Sequence, residues 1–411
     1  MSVCSSPETS ERVRALAAVS HGLIARVLDE IGPRESCGEG ERQLGRLLLE
    51  RWRALGLDVR AERFRCHPRA FLGFIPVMAV LYLVAVASFW RWPWLCVIAS
   101  ATALSLTVFE LLRYQEFIDP LFASAEGENV LGVVAPAGEL QRRVVVSAHL
   151  DAAYEFNLWF TFRQLAVPIM AVGMCAPAVS LAAGTLRALG GGGFESLGWV
   201  CFALSPVVGL HLFFHTFAVV PGAMDDLAGI SVLDGVARAL AEAQGEGARL
   251  GSTEVVLLAT SAEEAGLRGA KRFVDAHRAE LHATPTFGLF VDGVYDERYL
   301  TVIDREITSG VRNDPRLVAL ALSAAEGRNR KMLRAAIPLG HSDAAPFTLA
   351  GIPSVTLLCH DTSRLAPNYH TRRDTLDKVR PESIETMLQL VLDLLDRIDG
   401  AEIDADQGVA A

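Results

Sequence analysis

Val144–Ala153 reads VVVSAHLDAA: an apolar, strand-like stretch that ends in His149, Leu150 and Asp151. Residues two apart on a strand return to the same face. His149 and Asp151 therefore emerge side by side where a buried strand ends. A carboxylate beside an imidazole is a common way to orient a histidine toward a metal. It is equally the polar end of an ordinary strand, so the rest of the chain must choose.

Outward from this strand, the polar part of the chain alternates strands and helices. Residues 10–31 and 40–55 have helical spacing, and LDVRAERFRC (Leu57–Cys66) alternates as a strand. NVLGVVAP and RRVVVSAHL read as strands, Asp226 to Glu242 as a helix, TEVVLLATS as a strand and Ala265–His282 as a helix. TFGLFVD and PSVTLL are two more strands, and Pro381–Ile398 closes the fold as a helix. Such alternation implies an α/β fold, a central sheet with helices on its faces, in which function gathers at the carboxyl ends of strands.

Four apolar runs interrupt this pattern. Phe71–Trp90, Leu165–Leu186 and Leu197–Val220 carry no charge, and Trp94–Leu112 carries only Glu110. Each is about 20 residues long, enough to cross a hydrocarbon core of roughly 30 Å as a helix. They form two hairpins, at 71–112 and 164–220, turning at RWP (Arg91–Pro93) and RALGGGGFE (Arg187–Glu195). An even number of crossings leaves the polar sequence on one side. That side carries Arg60, Arg63, Arg65, Arg69, Arg113 and Arg163 near the helix ends, against Arg91 and Arg187 on the other. The positive-inside rule then expects an integral protein of the inner or plasma membrane, with its polar domain in the cytoplasm and the lipid bilayer as a partner. The expected domains are 10–70, 113–163 and 221–398 together, the two hairpins, and a flexible tail at 399–411.

A formal net charge of −10 argues against nucleic acid as a partner. The seven cysteines are scattered and form no CxxC pair, which argues against a disulfide framework and suits a reducing compartment. The N-terminus lacks the apolar core of a signal peptide. Oligomeric state is not encoded in any recognisable pattern.

The polar strand ends share one chemistry. After VVVSA come His149 and Asp151; PGAMDDLAG (Pro221–Gly229) holds Asp225 and Asp226 where a loop enters a helix. LLATSAEEAGLRG (Leu257–Gly269) presents Glu263 and Glu264, LFVDG ends in Asp292, and PNYHTRRDT (Pro367–Thr375) presents Tyr369 and His370. Singly, each could be a helix cap, a turn residue or a solvated surface group. Together, two imidazoles and several carboxylates form a ligand set for paired divalent metals, and these donors suit Zn²⁺. One carboxylate can bridge two ions about 3.5–4 Å apart, and a second, unligated one can take the proton of an attacking water.

The order HLD, GAMDDLAG, AEEAGLRG, VDG and YHT followed by DT resembles the co-catalytic zinc exopeptidases. These include vacuolar aminopeptidase Y, the bacterial leucyl aminopeptidases and glutamate carboxypeptidase. The resemblance spans the polar sequence from about residue 20 to 398, with the hairpins as insertions. It implies a mixed central sheet flanked by helices, two Zn²⁺ ions and a peptide substrate. By position, His149 and Asp292 resemble ligands of one zinc, Glu264 and His370 ligands of the other, and Asp225 the bridging carboxylate. Asp151 resembles the carboxylate behind His149, Glu263 the general base, and Tyr369 a tyrosine that helps polarise the scissile carbonyl. The resemblance implies a metallopeptidase, most simply an aminopeptidase. Two other outcomes belong to related folds: a non-catalytic peptidase-like scaffold or receptor, and acyl transfer of the glutaminyl cyclase type with one zinc.

Two departures stand out. HSDAAPF (His341–Phe347) carries Ala344 where many members have His, and Asp226 stands where Asn is usual, adding charge beside the metals. His211 and His215, four apart in HLFFH, are expected on one face of the fourth apolar helix near its interfacial end.

Overall fold

The computed structural model describes residues 7–245, 250–361 and 368–405. The chain folds as two units. The first draws its described residues from Met1–Cys66, Ala125–Ala153 and Val219–Ala411, the second from His67–Ser124 and Tyr154–Ala218. The strands, in chain order, are β1 (Asp58–Cys66), β2 (Ala125–Val134), β3 (Arg142–His149), β4 (Tyr154–Phe156), β5 (His215–Val219), β6 (Thr253–Thr260), β7 (Thr286–Asp292), β8 (Leu300–Glu306), β9 (Val311–Arg312), β10 (Leu333–Ile337) and β11 (Ser354–Cys359).

The first unit is built on a mixed sheet in the order β1-β2-β6-β3-β7-β11-β8-β10, with β9 paired to β8. Its centre is parallel: β3 runs with β6 and β7, and β7 with β11. β1, β2 and β9 add antiparallel edges, and β11 meets β8 antiparallel. β3 sits at the centre, and its run Val144–Val146 is apolar because both faces are covered. Val144 and Val146 enter a core packed by the helices Pro7–Glu30, Glu39–Ala54, Ala228–Gly245, Pro315–Gly327 and Pro381–Asp399. Val145, between them, enters the opposite core with Leu131, Leu258, Phe290 and residues of the helix Arg268–Ala283. A strand covered on both faces reads as a continuous apolar run rather than an alternating one. Because β3, β6, β7 and β11 are parallel neighbours, His149, Thr260 and Asp292 all arrive at one end of the sheet.

The expectation of a loose tail from Asp399 does not hold through residue 405. The Asp399 carboxylate accepts hydrogen bonds from the backbone N–H of Gly251 (2.7 Å) and Ser252 (2.9 Å). Glu402–Ala405 then forms a helical turn that seats Ile403 in the core. Residues 406–411 lie outside the described residues.

The second unit contains three helical stretches long and apolar enough to cross a membrane: Ala70–Ser88, Pro93–Leu112 and Asn157–Gly190. They pack through small and hydroxylated side chains, as membrane helices do. A Cβ on Gly184 would lie 2.8 Å from Cys96 Sγ, and the Ser100 and Ser180 hydroxyls meet at 2.7 Å. The Tyr82 hydroxyl donates to the Cys201 carbonyl at 2.7 Å. Apolar side chains also face outward, among them Val80, Ile98, Leu189, Val200 and Phe202. At the hairpin turns Trp92, Trp94 and Trp199 are exposed.

The fourth run departs from the expected helix over Leu197–Val220. Its apolar helical part, Leu197–Phe213, is shorter than the other three, and His215–Val219 is strand β5, paired with β4. Pro206 withdraws one backbone donor from the helix, and Thr216, Phe217 and Val219 suit a strand. His211 and His215 therefore do not share a helix face. His211 is buried where a Cβ on Gly173 would clash with its ring. Residues 113–124 and 154–163 also cluster with this unit rather than with the sheet. Ile118 N–H to Glu110 Oε1 (2.6 Å) ties in the first segment, and Asn157 N–H to the Phe214 carbonyl (2.8 Å) the second.

One buried acid in the first unit gives a pH test of the fold. Glu306 in β8 is fully buried; Oε1 accepts from Ser342 N–H (3.1 Å) and the Ser342 hydroxyl (2.6 Å), while Oε2 has no hydrogen-bond partner among the described residues. Nearby His341 stays neutral, its pKa lowered by burial to about 4. Burial pushes the Glu306 carboxyl from an ordinary 4.5 up to about 7. An acid raised in the folded state costs nothing below its unfolded value, and the cost grows with pH until the folded value is passed. Glu306→Gln is therefore expected to raise the thermal midpoint at pH 8 and to leave it unchanged near pH 4. The limiting gain is about 3 kcal/mol. Thermal melts across that range check the sign; a gain independent of pH would contradict it.

Candidate metal centre

The strand ends and loops bring all eight sequence-derived positions into one region. At the end of β3, His149 Nδ1 lies 3.3 Å from Asp151 Oδ1. Asp151 is fully buried and is held as an acceptor: Ser36 Oγ donates to it at 2.6 Å, Glu264 N–H at 3.0 Å and Glu263 N–H at 3.1 Å. It thus fixes both the imidazole behind it and the backbone of the two glutamates. The loop after β6 is completed by Glu41, whose carboxylate accepts from Ala262 N–H (2.8 Å) and Ser261 Oγ (2.9 Å). The same loop packs against Cys37 and Cys66, whose sulfurs lie 3.4 Å apart.

Asp225 lies between β5 and the helix Ala228–Gly245, in a loop that turns at Gly222 with φ +64°. The Asp374 carboxylate accepts from Met224 N–H (2.7 Å) and Asp225 N–H (3.2 Å). So held, Asp225 turns one oxygen to each histidine: Oδ1 is 3.0 Å from His149 Nε2 and Oδ2 is 3.2 Å from His370 Nε2. His370 Nε2 is also 3.2 Å from Glu264 Oε1, and Asp292 Oδ1 is 3.9 Å from His149 Nε2. Three overlapping sets of ligand atoms result, each within 4.8 Å: His149–Asp225–Asp292, Asp225–Glu264–His370 and His149–Glu263–Glu264. Tyr369 stacks on the His370 ring at 3.8 Å between centroids and remains partly exposed.

Asp226, the departure from Asn, has a local reason. Oδ2 accepts from His149 N–H (3.2 Å) and Oδ1 from Gly229 N–H (2.9 Å). An amide could accept only one of these bonds.

The electrostatics test whether a metal fits. Burial pushes Glu263 and Asp226 well above the usual carboxylate range and Asp292 up to about 7. Neighbouring carboxylates add to each shift. Asp225 is the exception: burial opposes it, but His149 and His370 hold it below the ordinary range. Glu264 Oε1 is buried and faces His370 Nε2 at 3.2 Å. Crowded, desolvated carboxylates with imidazoles between them are the donor set that divalent zinc neutralises. The residues fit the ion.

Several members of the site were not legible. Arg34, Ser36 and Glu41 come from one Gly-rich loop and the start of a helix, more than 100 residues from their partners. Asp374 was visible only as part of a motif. Asp343, whose Oδ2 accepts from the Thr260 hydroxyl at 2.5 Å, lies in HSDAAPF, where the sequence drew attention only to Ala344.

Comparisons with known proteins agree with this geometry. Residues 207–395 match the sequence profile of Peptidase family M28. A zinc aminopeptidase from Bacillus subtilis has a similar fold at 16% identity, over 92% of this chain and 94% of that one, with a TM-score of 0.54. So does a Zn-dependent exopeptidase from Parabacteroides distasonis, at 14% identity over 92% and 97%, with a TM-score of 0.56. A glutaminyl cyclase from Bacteroides thetaiotaomicron is similar at 14% identity over 92% and 97%, with a TM-score of 0.54. Likeness at these identities establishes the fold. No curated protein sequence matches the chain. The stretch that matches Peptidase family M28 carries Asp225, Glu263, Glu264, Asp292 and His370, and the chain as a whole has the fold of zinc aminopeptidases and glutaminyl cyclases.

Proposed function

We propose that the protein is a membrane-anchored aminopeptidase that uses two zinc ions. The observation that carries this reading is Asp225, which offers one oxygen toward His149 and the other toward His370. A carboxylate directed at two imidazoles suits a bridge between two ions. His149 and Asp292 would hold one ion, Glu264 and His370 the other, with Asp225 shared. When bound, zinc supplies Lewis acidity that lowers the pKa of water toward neutrality and polarises a carbonyl.

The chain's own residues do the rest. Glu263 accepts the proton of the attacking water and delivers it to the leaving amine. Asp151 keeps the His149 ring and the Glu263 backbone in place. The Tyr369 hydroxyl donates toward the oxyanion of the tetrahedral adduct. The exposed tryptophans at the hairpin turns support an anchor, since Trp gathers at membrane interfaces. The arginine bias favours a peptidase unit on the cytoplasmic side of the inner or plasma membrane. The substrate is a peptide or peptide-like amide.

The test is digestion of mixed peptides with free or blocked N-termini by the detergent-solubilised protein, followed by mass spectrometry. Loss of single N-terminal residues from unblocked peptides only, abolished by a chelator and restored by zinc, is the expected result. Trimming from the C-terminus would reverse the polarity. Cyclisation of N-terminal glutamine without cleavage, with one zinc per chain, would replace hydrolysis by acyl transfer.

A further inference from the structure

Arg34 stands in the loop between the helices Pro7–Glu30 and Glu39–Ala54, and its side chain is completely buried. It makes no ion pair among the described residues. Every hydrogen bond of its guanidinium goes to a backbone carbonyl: Nε to Leu150 (3.0 Å), Nη1 to Pro221 (2.9 Å) and Gly32 (3.3 Å), and Nη2 to Gly222 (2.9 Å). Its own carbonyl accepts from Ala152 N–H at 2.8 Å. A desolvated cation without a carboxylate partner is costly, so the arrangement needs a reason.

The partners supply one. Leu150 and Ala152 flank Asp151, and Leu150 follows His149. Pro221 and Gly222 open the loop that carries Asp225. One planar fork thus joins two loops about 70 residues apart in sequence, one bearing His149 and the other bearing Asp225. Asp374 braces the second loop from its other end. The fit is close, for a Cβ on Gly222 would lie 2.6 Å from Arg34 Nη2. A lysine, with one nitrogen at the end of a flexible stem, cannot reach carbonyls on both loops in this geometry.

We propose that Arg34 is a positioning residue of the metal centre, whose guanidinium fork sets the His149 loop against the Asp225 loop. The inference rests on the zinc reading above. Its role is geometric, so charge alone does not replace it. Arg34→Lys is expected to raise the zinc dissociation constant about 10–100-fold, the range found when groups supporting metal ligands are removed. Zinc affinity is measured by competition with a chromophoric chelator on protein that elutes as folded. The visible spectrum of the cobalt-substituted protein reports ligand geometry directly and is expected to change as well. If Arg34→Lys does not fold, Arg34→Ala prepared with and without added guanidinium decides the matter: guanidinium is expected to restore zinc affinity and the cobalt spectrum, and parental affinity without it would overturn the inference. Unchanged affinity and an unchanged cobalt spectrum in a folded variant would overturn the inference. Failure of the parent protein to bind zinc would instead overturn the reading on which it rests.

Discussion

Glu263→Gln should bind zinc as the parent does and turn over peptides about 10³-fold more slowly, within the range that general base catalysis contributes. The prediction is sharp because the geometry leaves Glu263 two possible jobs. Its carboxylate belongs to a set with His149 and Glu264 that could itself hold an ion. Its backbone, however, is fixed by Asp151 beside Glu264, and Glu264 already faces His370. If Glu263 were a ligand, the amide would weaken zinc binding along with turnover. If it is the base, the two separate: zinc content stays and kcat falls. The amide also removes one charge from a crowded set of buried carboxylates, so the metal-free variant should melt no lower than the parent. Zinc analysis and kcat on the same preparation decide between the roles.

Asp225→Ala is expected to abolish turnover and to leave the protein unable to retain zinc at concentrations that saturate the parent. Asp225 turns separate oxygens to His149 and His370. Removing it also leaves two buried imidazoles without their shared carboxylate, and loss of one partner of a buried pair costs about 3–5 kcal/mol. The variant should therefore melt lower without metal. Added zinc should no longer raise the midpoint, whereas zinc at a thousand times its dissociation constant stabilises a binding-competent protein by about 4 kcal/mol. A variant that kept both its zinc and its zinc-dependent melting shift would remove Asp225 from the centre.

Much of this was open to a reader of the sequence, for a physical reason. A parallel sheet buries its central strands on both faces, so VVVSA carries no charge and only the small hydroxyl of Ser147, and the ionisable residues appear where it ends. His149, Glu263, Glu264 and Asp292 were thus marked by the abrupt change after each strand. Asp225 and His370 lie in loops and were found only through the motif order. What stayed hidden were groups whose partners are remote in sequence. Nothing about Arg34 distinguishes it from a surface arginine until Leu150 and Gly222 are seen to converge on it. The fourth apolar run misled because hydropathy cannot tell an apolar helix from an apolar strand. The backbone switches to β5 at His215, once β4 is there to receive it.

The contact between Cys37 and Cys66 has a use beyond packing. The two thiols are buried side by side against the loop that carries Glu263 and Glu264. Whether they remain a dithiol or become a cystine as the chain folds depends on the thiol–disulfide poise of the surroundings, since they already touch. In a glutathione-buffered compartment they stay reduced; in an oxidising one they are joined. The chain therefore keeps, in the presence or absence of two hydrogen atoms, a chemical record of the redox poise in which its sheet was assembled.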